Sequence, residues 1–188
     1  MADGKILIIS GTNRPQANAL KVANAIAAEY KKVGVNAEIL SLAEMGPEAF
    51  APSCYATKPP SLVAIQKRVL DAAGLHVVTP EYNGSFPGVL KYFIDMLQFP
   101  ESFDRKPVAF VGESAGMWGG IRSVEQLIQI FGYRNAHIFP PRVFIPSIHT
   151  KFNNDGILTD AEIQKRLHEQ AAGFARFVGS LTAAHQAL

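Results

Sequence analysis

The chain has one cysteine, Cys54, among its 188 residues. An internal disulfide is therefore impossible, and a cysteine-based metal cluster is excluded. His76, His137, His149, His168 and His185 are scattered and include no His-x-x-x-His pair, so a zinc-type site has little support. Charge is scarce and almost balanced: 18 basic residues face 16 acidic ones, for a formal charge of +2. The Lys31-Lys32 and Lys67-Arg68 pairs read as solvated helix faces, which argues against a nucleic-acid partner. No apolar run approaches the ~18 residues that a spanning helix needs. The segment from Met1 to Lys5 has no basic stretch ahead of a long apolar one. These absences predict a soluble, cytoplasmic protein with no membrane partner. Two phosphate motifs are missing as well. Without Gly-x-x-x-x-Gly-Lys-Ser/Thr, or Gly-x-Gly-x-x-Gly after the first strand, a P-loop nucleotidase and a Rossmann dinucleotide site are both disfavoured.

What is present alternates between strand and helix. A hydrophobic content of 48% supports one full core, so residues 1–188 are expected to form a single domain. Lys5 to Ser10 is an unbroken apolar run, as in a strand covered on both faces. From Asn18 the spacing of Leu20, Ala23, Ile26, Ala27, Tyr30 and Val33 becomes helical, and Gly34 stops it. Asn36–Leu40, Leu75–Thr79, Pro107–Val111 and a weak Ala136–Phe139 follow as strands. Helical spacing recurs at Leu62 to Ala72, at Leu90 to Leu97 with Pro100 ending it, and at Val124 to Phe131. Ala43–Pro60 and Pro140–Leu158 read as irregular. Thr159 and Glu162 form a capping box for a last helix carrying Ile163, Leu167, Ala171, Phe174, Val178 and Leu181. Five strand–helix units imply an α/β three-layer sandwich, flavodoxin-like, with a five-stranded parallel sheet in the order 2-1-3-4-5. In that order a ligand sits beyond the carboxyl ends of the first and third strands.

Three loops fall on that edge. The first runs from Ser10 to Asn18. Gly11 gives a tight exit from the strand, Thr12 and Asn18 offer neutral donors, and Arg14 offers a bidentate cation. The N–H groups of Asn18, Ala19 and Leu20 open a helix, where an anion gains roughly 0.3–1 kcal/mol, or ~2 when partly buried. This set suits a phosphate dianion; an ordinary turn with an Asn cap is the alternative. The second loop is Pro80-Glu81-Tyr82-Asn83-Gly84-Ser85-Phe86-Pro87-Gly88. Asn83-Gly84 is also a hairpin signal, set aside because the spacing that follows is helical. Such a loop can aim rigid N–H groups at a flat heteroaromatic ring, walled by Tyr82 and Phe86, or be a plain strand-to-helix connection. The third loop, Gly112 to Arg122, contains Ser114, Ala115, Gly116 and Met117, and its small residues permit close approach of a ligand.

Taken together, Gly-Thr-Asn-Arg-x-x-x-Asn, Pro-Glu-Tyr-Asn-Gly-Ser-x-Pro-Gly-x-Leu-Lys and Gly-x-Ser-x-Gly-x-x-Gly-Gly-x-Arg resemble the NADPH-dependent FMN reductase family. The resemblance runs in order along almost the whole chain. It implies FMN as cofactor and NADPH or NADH as electron donor. It also implies a small acceptor such as a quinone, flavin, azo compound or metal oxyanion. The phosphate is then gripped between Thr12 and Leu20, the ring edge meets Pro80 to Gly84, and Ser114 to Met117 form the far wall. Ala17 departs from the pattern, since many relatives carry Ser there. Family members commonly form dimers or tetramers, and Phe99, Phe103, Phe131 and Trp118 are expected to supply aromatic surface for a homodimer or homotetramer. Arg122 is left between a nicotinamide phosphate and an intersubunit ion pair. Donor and acceptor are expected to use one open face in turn, with no side chain required as acid or base, so no catalytic residue is named.

Other motifs compete. Gly112-Glu-Ser114-Ala-Gly116 matches a nucleophile elbow, with Asp155 or Asp160 and His168 or His185 as triad partners. Met-Trp-Gly-Gly intervenes before the next helix, and only one strand follows, so a serine hydrolase fits poorly. Lys151 to Glu162 mimics a calcium loop, but a lysine stands where the first carboxylate belongs. A flavodoxin-like electron carrier or binding module remains the non-enzymatic alternative.

Overall fold

The computed structural model describes residues 4–186, with side chains described through residue 184. The readings placed on Met1 to Asp3 and on the His185 side chain lie outside the described residues. Parallel strands β1 (Ile6–Ser10), β2 (Ala37–Ser41), β3 (Gly74–Pro80) and β4 (Pro107–Glu113) are joined by helices α1 (Asn18–Lys32), α2 (Pro60–Asp71) and α3 (Gly88–Met96). Helix α4 (Ile121–Tyr133), strands β5 (His137–Ile138) and β6 (Val143–Ile145), and helix α5 (Ala161–Gln186) complete the order. The sheet runs β2-β1-β3-β4-β5, with β6 also on β4, so the expected 2-1-3-4-5 order is present.

Strands β1, β3 and β4 are buried along their whole length because both faces are covered. Side chains alternate between two cores. Leu7, Ile9, Leu75, Val77, Val108 and Phe110 pack with α2, α3 and α4. Ile6, Ile8, Val78, Ala109 and Val111 pack with α1 and α5. Phe103 and Phe131, expected at a subunit surface, are buried in the first core. Phe131 meets Phe103 and Phe110 edge-on. They were spare only on a count of aromatics; the sheet face needed them.

Three boundaries differ from the sequence reading. The segment 42–55, read as irregular, contains three short 3-10 turns. Helix α3 ends at Met96, ahead of Pro100. The cap of α5 is Asp160, whose Oδ1 accepts from Ile163 N–H at 3.0 Å. Thr159 Oγ1 instead donates to Lys151 O, so the Thr159–Glu162 capping box does not form. A carboxylate at this position suits the helix dipole better than a hydroxyl.

The fifth strand position is split. Val108 pairs with Ile138 and Val111 with Val143, so the edge strand takes two more residues than β4 over the same span. Pro140 and Pro141 lie in that gap and have no N–H for the ladder. Gln170 of α5 compensates: its Nε2 donates to Phe110 O (3.0 Å) and Pro141 O (2.9 Å). Its Oε1 is then left to accept from His76 Nε2 (3.2 Å), which fixes the proton on that nitrogen. His76 Nδ1 therefore accepts from the Tyr30 hydroxyl at 2.8 Å. Burial lowers the His76 pKa to about 4, so the ring is neutral at neutral pH.

Candidate functional site

The carboxyl ends of β1, β3, β4 and β6 carry loops 11–17, 81–87, 114–120 and 146–147, which gather on one sheet edge. In the first loop, Gly11 N–H donates to Val78 O at 2.8 Å. A Cβ on Gly11 would lie 2.8 Å from that oxygen and 2.9 Å from Leu90, so close approach of β3 demands glycine there. Thr12 is buried. Its Oγ1 accepts from Arg14 N–H (3.2 Å) and lies 3.3 Å from the Tyr82 hydroxyl, which ties the first loop to the second. Ala17 is the N-cap of α1 and contributes no side-chain bond, so Asn18 and Ala19 open an uncapped helix. Arg14 is exposed, and among the described residues its guanidinium makes no hydrogen bond or ion pair. A free cation thus stands beside an uncapped helix N-terminus, a combination able to hold a phosphate.

The second loop corrects the sequence reading. Asn83-Gly84 does form a tight hairpin turn: Tyr82 N–H donates to Ser85 O (2.8 Å) and Ser85 N–H returns to Tyr82 O (3.1 Å). Asn83 (φ 52°) and Gly84 (φ 75°) both take the left-handed conformation that such a turn requires. The turn ends after one bridge, so it fits ahead of α3, and helical spacing downstream was no argument against it. Helix α4 clamps the turn. Ser85 Oγ donates to Gln126 Oε1 (2.6 Å), Gln126 Nε2 to Gly84 O (3.2 Å) and Ser123 Oγ to Pro80 O (3.1 Å). Arg122 Nη1 donates to Glu81 Oε1 at 2.8 Å, and Arg122 N–H to Glu81 Oε2 at 3.3 Å. Arg122 is therefore committed within its own chain, a partner neither of the two sequence alternatives named. Phe86 packs on the core below, leaving Tyr82 as the aromatic residue linked to the first loop.

The third loop is braced from behind by the end of β6 and the segment after it. Ser114 N–H donates to Ile145 O (3.2 Å), Ile148 N–H to Ser114 O (3.0 Å) and Ser147 N–H to Gly116 O (3.3 Å). Ala115 and Gly116 are exposed, and Met117 and Trp118 stand out at 75% and 56% exposure. A Cβ on Gly84 or Gly116 would meet no atom nearer than 3.9 Å, Arg122 Cδ and Ser114 Oγ respectively. Ser114 Oγ donates to Gly116 O at 3.1 Å. No histidine is hydrogen-bonded to it among the described residues. His168 Nδ1 lies 3.0 Å from Glu29 Oε2, and Asp160 pairs with Lys151. The calcium-like stretch is a tight turn in which Asn153 Oδ1 accepts from Asp155 and Ile157 N–H groups.

One residue went unnoticed in the sequence. Strand β4 continues two residues past Val111 and ends at Glu113, which pairs with Pro80 on one side and Ile145 on the other. Glu113 is 5% exposed, and among the described residues its carboxyl has no hydrogen-bond partner. Burial raises its pKa to about 7, only partly opposed by the positive charge of Arg14. The signal was a lone acid closing an apolar strand that faces an arginine loop.

This carboxyl ties stability to pH. Between pH 4.5 and 7 the folded chain holds a proton that the unfolded chain has released, so its contribution falls as pH rises through that window. Glu113→Gln is expected to gain about 3 kcal/mol over wild type between pH 4.5 and pH 8, from ~1.4 kcal/mol per pKa unit. His76 titrates alike in both proteins and cancels. Urea unfolding of both proteins at the two pH values measures this, and a constant difference would show an ordinary carboxylate.

The family model for NADPH-dependent FMN reductases matches residues 4–150. The chain is 32% identical over 126 residues to an NAD(P)H-dependent FMN reductase of Pseudomonas aeruginosa, covering 65% of this chain and 68% of the relative. It is 35% identical over 114 residues to an NAD(P)H:quinone oxidoreductase of Solanum tuberosum, covering 59% of each. The matched stretches thus span about three fifths to two thirds of those relatives. Among solved structures, the flavoenzyme NAD(P)H:(acceptor) oxidoreductase FerB of Paracoccus denitrificans superposes with a TM-score of 0.79. That superposition has 21% identity and covers 94% of this chain and 98% of that one, a likeness of fold. Among the described residues, no helix is long and apolar enough to cross a membrane. With its match over residues 4–150, this chain belongs to the NADPH-dependent FMN reductase family.

Proposed function

We propose that the chain is an FMN-dependent NAD(P)H oxidoreductase that reduces small acceptors, quinones or flavins foremost. The observation that carries this is the family match over the stretch that contains all three site loops. The residues present fit the cofactor. Unpaired Arg14 and the uncapped start of α1 at Asn18 and Ala19 suit the phosphate, with Gly11 and Thr12 shaping the approach; the Leu20 N–H, also expected there, donates to Ala17 O at 3.1 Å. Pro80, Glu81, Tyr82, Asn83 and Gly84 present a backbone edge held rigid by α4. Ser114, Ala115, Gly116 and Met117 form the opposite wall. When bound, FMN supplies the hydride and electron chemistry; the protein supplies binding, orientation and electrostatics.

Glu81 and Arg122 neutralise one another at the rim, so the edge from Pro80 to Gly84 keeps its position without a net charge. Exposed Met117 and Trp118 offer an apolar surface to flat acceptors. The reading places a single-domain enzyme in the cytoplasm as a homodimer or homotetramer, with exposed Phe99, Trp118 and Tyr133 as candidate interface aromatics. Donor and acceptor meet one opening between the same loops and must use it in turn. Initial-rate measurements with NADPH or NADH and a quinone, with FMN present, are expected to give parallel double-reciprocal lines. Intersecting lines would require both substrates bound together and would reject the shared opening. Absence of NAD(P)H oxidation would favour the electron-carrier alternative.

A further inference from the structure

The polar wall of the first loop has a neighbour that FMN binding does not by itself require. Strand alternation puts the Glu113 side chain on the face of Ala109 and Val111, the α1 side of the sheet. It closes β4 beside Pro80 and Ile145, buried and without a hydrogen-bond partner among the described residues. Its surroundings hold little unpaired charge: Glu81, whose N–H donates to Glu113 O at 2.9 Å, has its carboxylate paired with Arg122. Pro80 of β3, Ile145 of β6 and the whole loop 114–120 carry no ionisable group. The first turn of α1 begins Asn18, Ala19, Leu20; Lys21 beyond it lies over the Phe152 ring. The turn after β6 carries His149, which is exposed, and Lys151, which is paired with Asp160. Arg14 is left as the charged group acting on Glu113.

We propose that Glu113 takes up a proton when the phosphate end of the mononucleotide docks beside Arg14, making cofactor capture proton-linked. The inference rests on the FMN assignment above and extends it to a residue outside the phosphate loop. A phosphate dianion on Arg14 either draws the guanidinium from Glu113 or places two negative charges near a poorly solvated carboxyl. Both disfavour the carboxylate, so both drive the same protonation. A buried carboxyl without hydrogen-bond donors has nothing else to hold its charge. Linkage then requires FMN affinity to fall as pH rises above the point where free Glu113 ionises.

The test is titration calorimetry of the apo-protein with FMN at pH 8, in two non-phosphate buffers of different ionisation enthalpy. The phosphate of FMN is already fully ionised there, its second pKa being ≈ 6. Wild type is expected to take up close to one proton, and affinity to fall about tenfold from pH 8 to pH 9. Glu113→Gln should bind FMN with no proton uptake and no such slope. Riboflavin, which lacks the phosphate, should bind wild type without proton uptake. Tight FMN binding by wild type with no proton exchanged overturns the proposal and leaves the enzyme assignment standing. Equal uptake in Glu113→Gln, or with riboflavin, also overturns it. Failure of wild type to bind FMN removes the proposal and the FMN assignment together.

Discussion

Replacing Arg14 with alanine is expected to weaken FMN binding by roughly 10- to 150-fold. The figure follows from the 1.5–3 kcal/mol of a hydrogen bond to a charged group. Arg14 already lacks an ion pair within the described residues, so little of its energy is tied up in the protein. Its exposure also means that the substitution removes no packing, and the fold is expected to melt as before. Fluorescence quenching of FMN titrated with apo-protein measures the change. Riboflavin serves as the internal control: its affinity should shift far less, since Arg14 is assigned to the phosphate alone. An FMN affinity unchanged within twofold would move the phosphate away from the first loop. Arg14→Lys should recover only part of the loss, because an ammonium keeps the charge and forfeits the two-pronged contact.

The second large effect concerns stability. Gln170→Leu is expected to cost about 2–5 kcal/mol, as two buried groups, Phe110 O and His76 Nε2, lose partners at ~1–3 kcal/mol each. The side chain serves Phe110 O, Pro141 O and His76 Nε2 together; the Phe110 and His76 sites are buried, while Pro141 is exposed. Leucine fills similar space and satisfies none of them. Gln170→Glu is a sharper probe: it can still accept from His76 but gives the two carbonyls no donor unless protonated. Urea unfolding at pH 7.5 is the measurement for both. A loss under 1 kcal/mol for Gln170→Leu would mean that water or backbone movement replaces the amide. FMN binding should survive wherever the variant is folded, because the network lies beneath the sheet rather than at its edge.

Strand order was legible because each buried strand is an unbroken apolar run and each helix repeats at a different period. The split edge was not, since Val143-Phe144-Ile145 is too short for a period and follows two prolines that read as a loop. The three site loops were found from small and polar residues after strands. Their internal bracing was invisible, because Gln126, Ser123 and Arg122 sit on a helix whose register against the Asn83-Gly84 turn only folding decides. Glu113 was missed for a related reason. An acid after Val111-Gly112 looks like a strand ending in solvent, and only the pairings with Pro80 and Ile145 show that the strand continues. Phe103 and Phe131 show the opposite error, in which residues that seemed surplus are in the core.

The interruption at Pro140-Pro141 also bears on how the molecule avoids its own kind. A sheet margin with a continuous row of free N–H and C=O groups is a template for another chain to extend. Here that margin is cut into pieces of two and three residues, out of step by two, with two prolines between them. An incoming strand in register with His137–Ile138 would lose its pairing before it reached Val143. The exposed Arg142 beside the break is ion-paired with Glu125 of α4. The same irregularity that recruits Gln170 into the interior thus leaves little for fibrillar growth to begin on from this side.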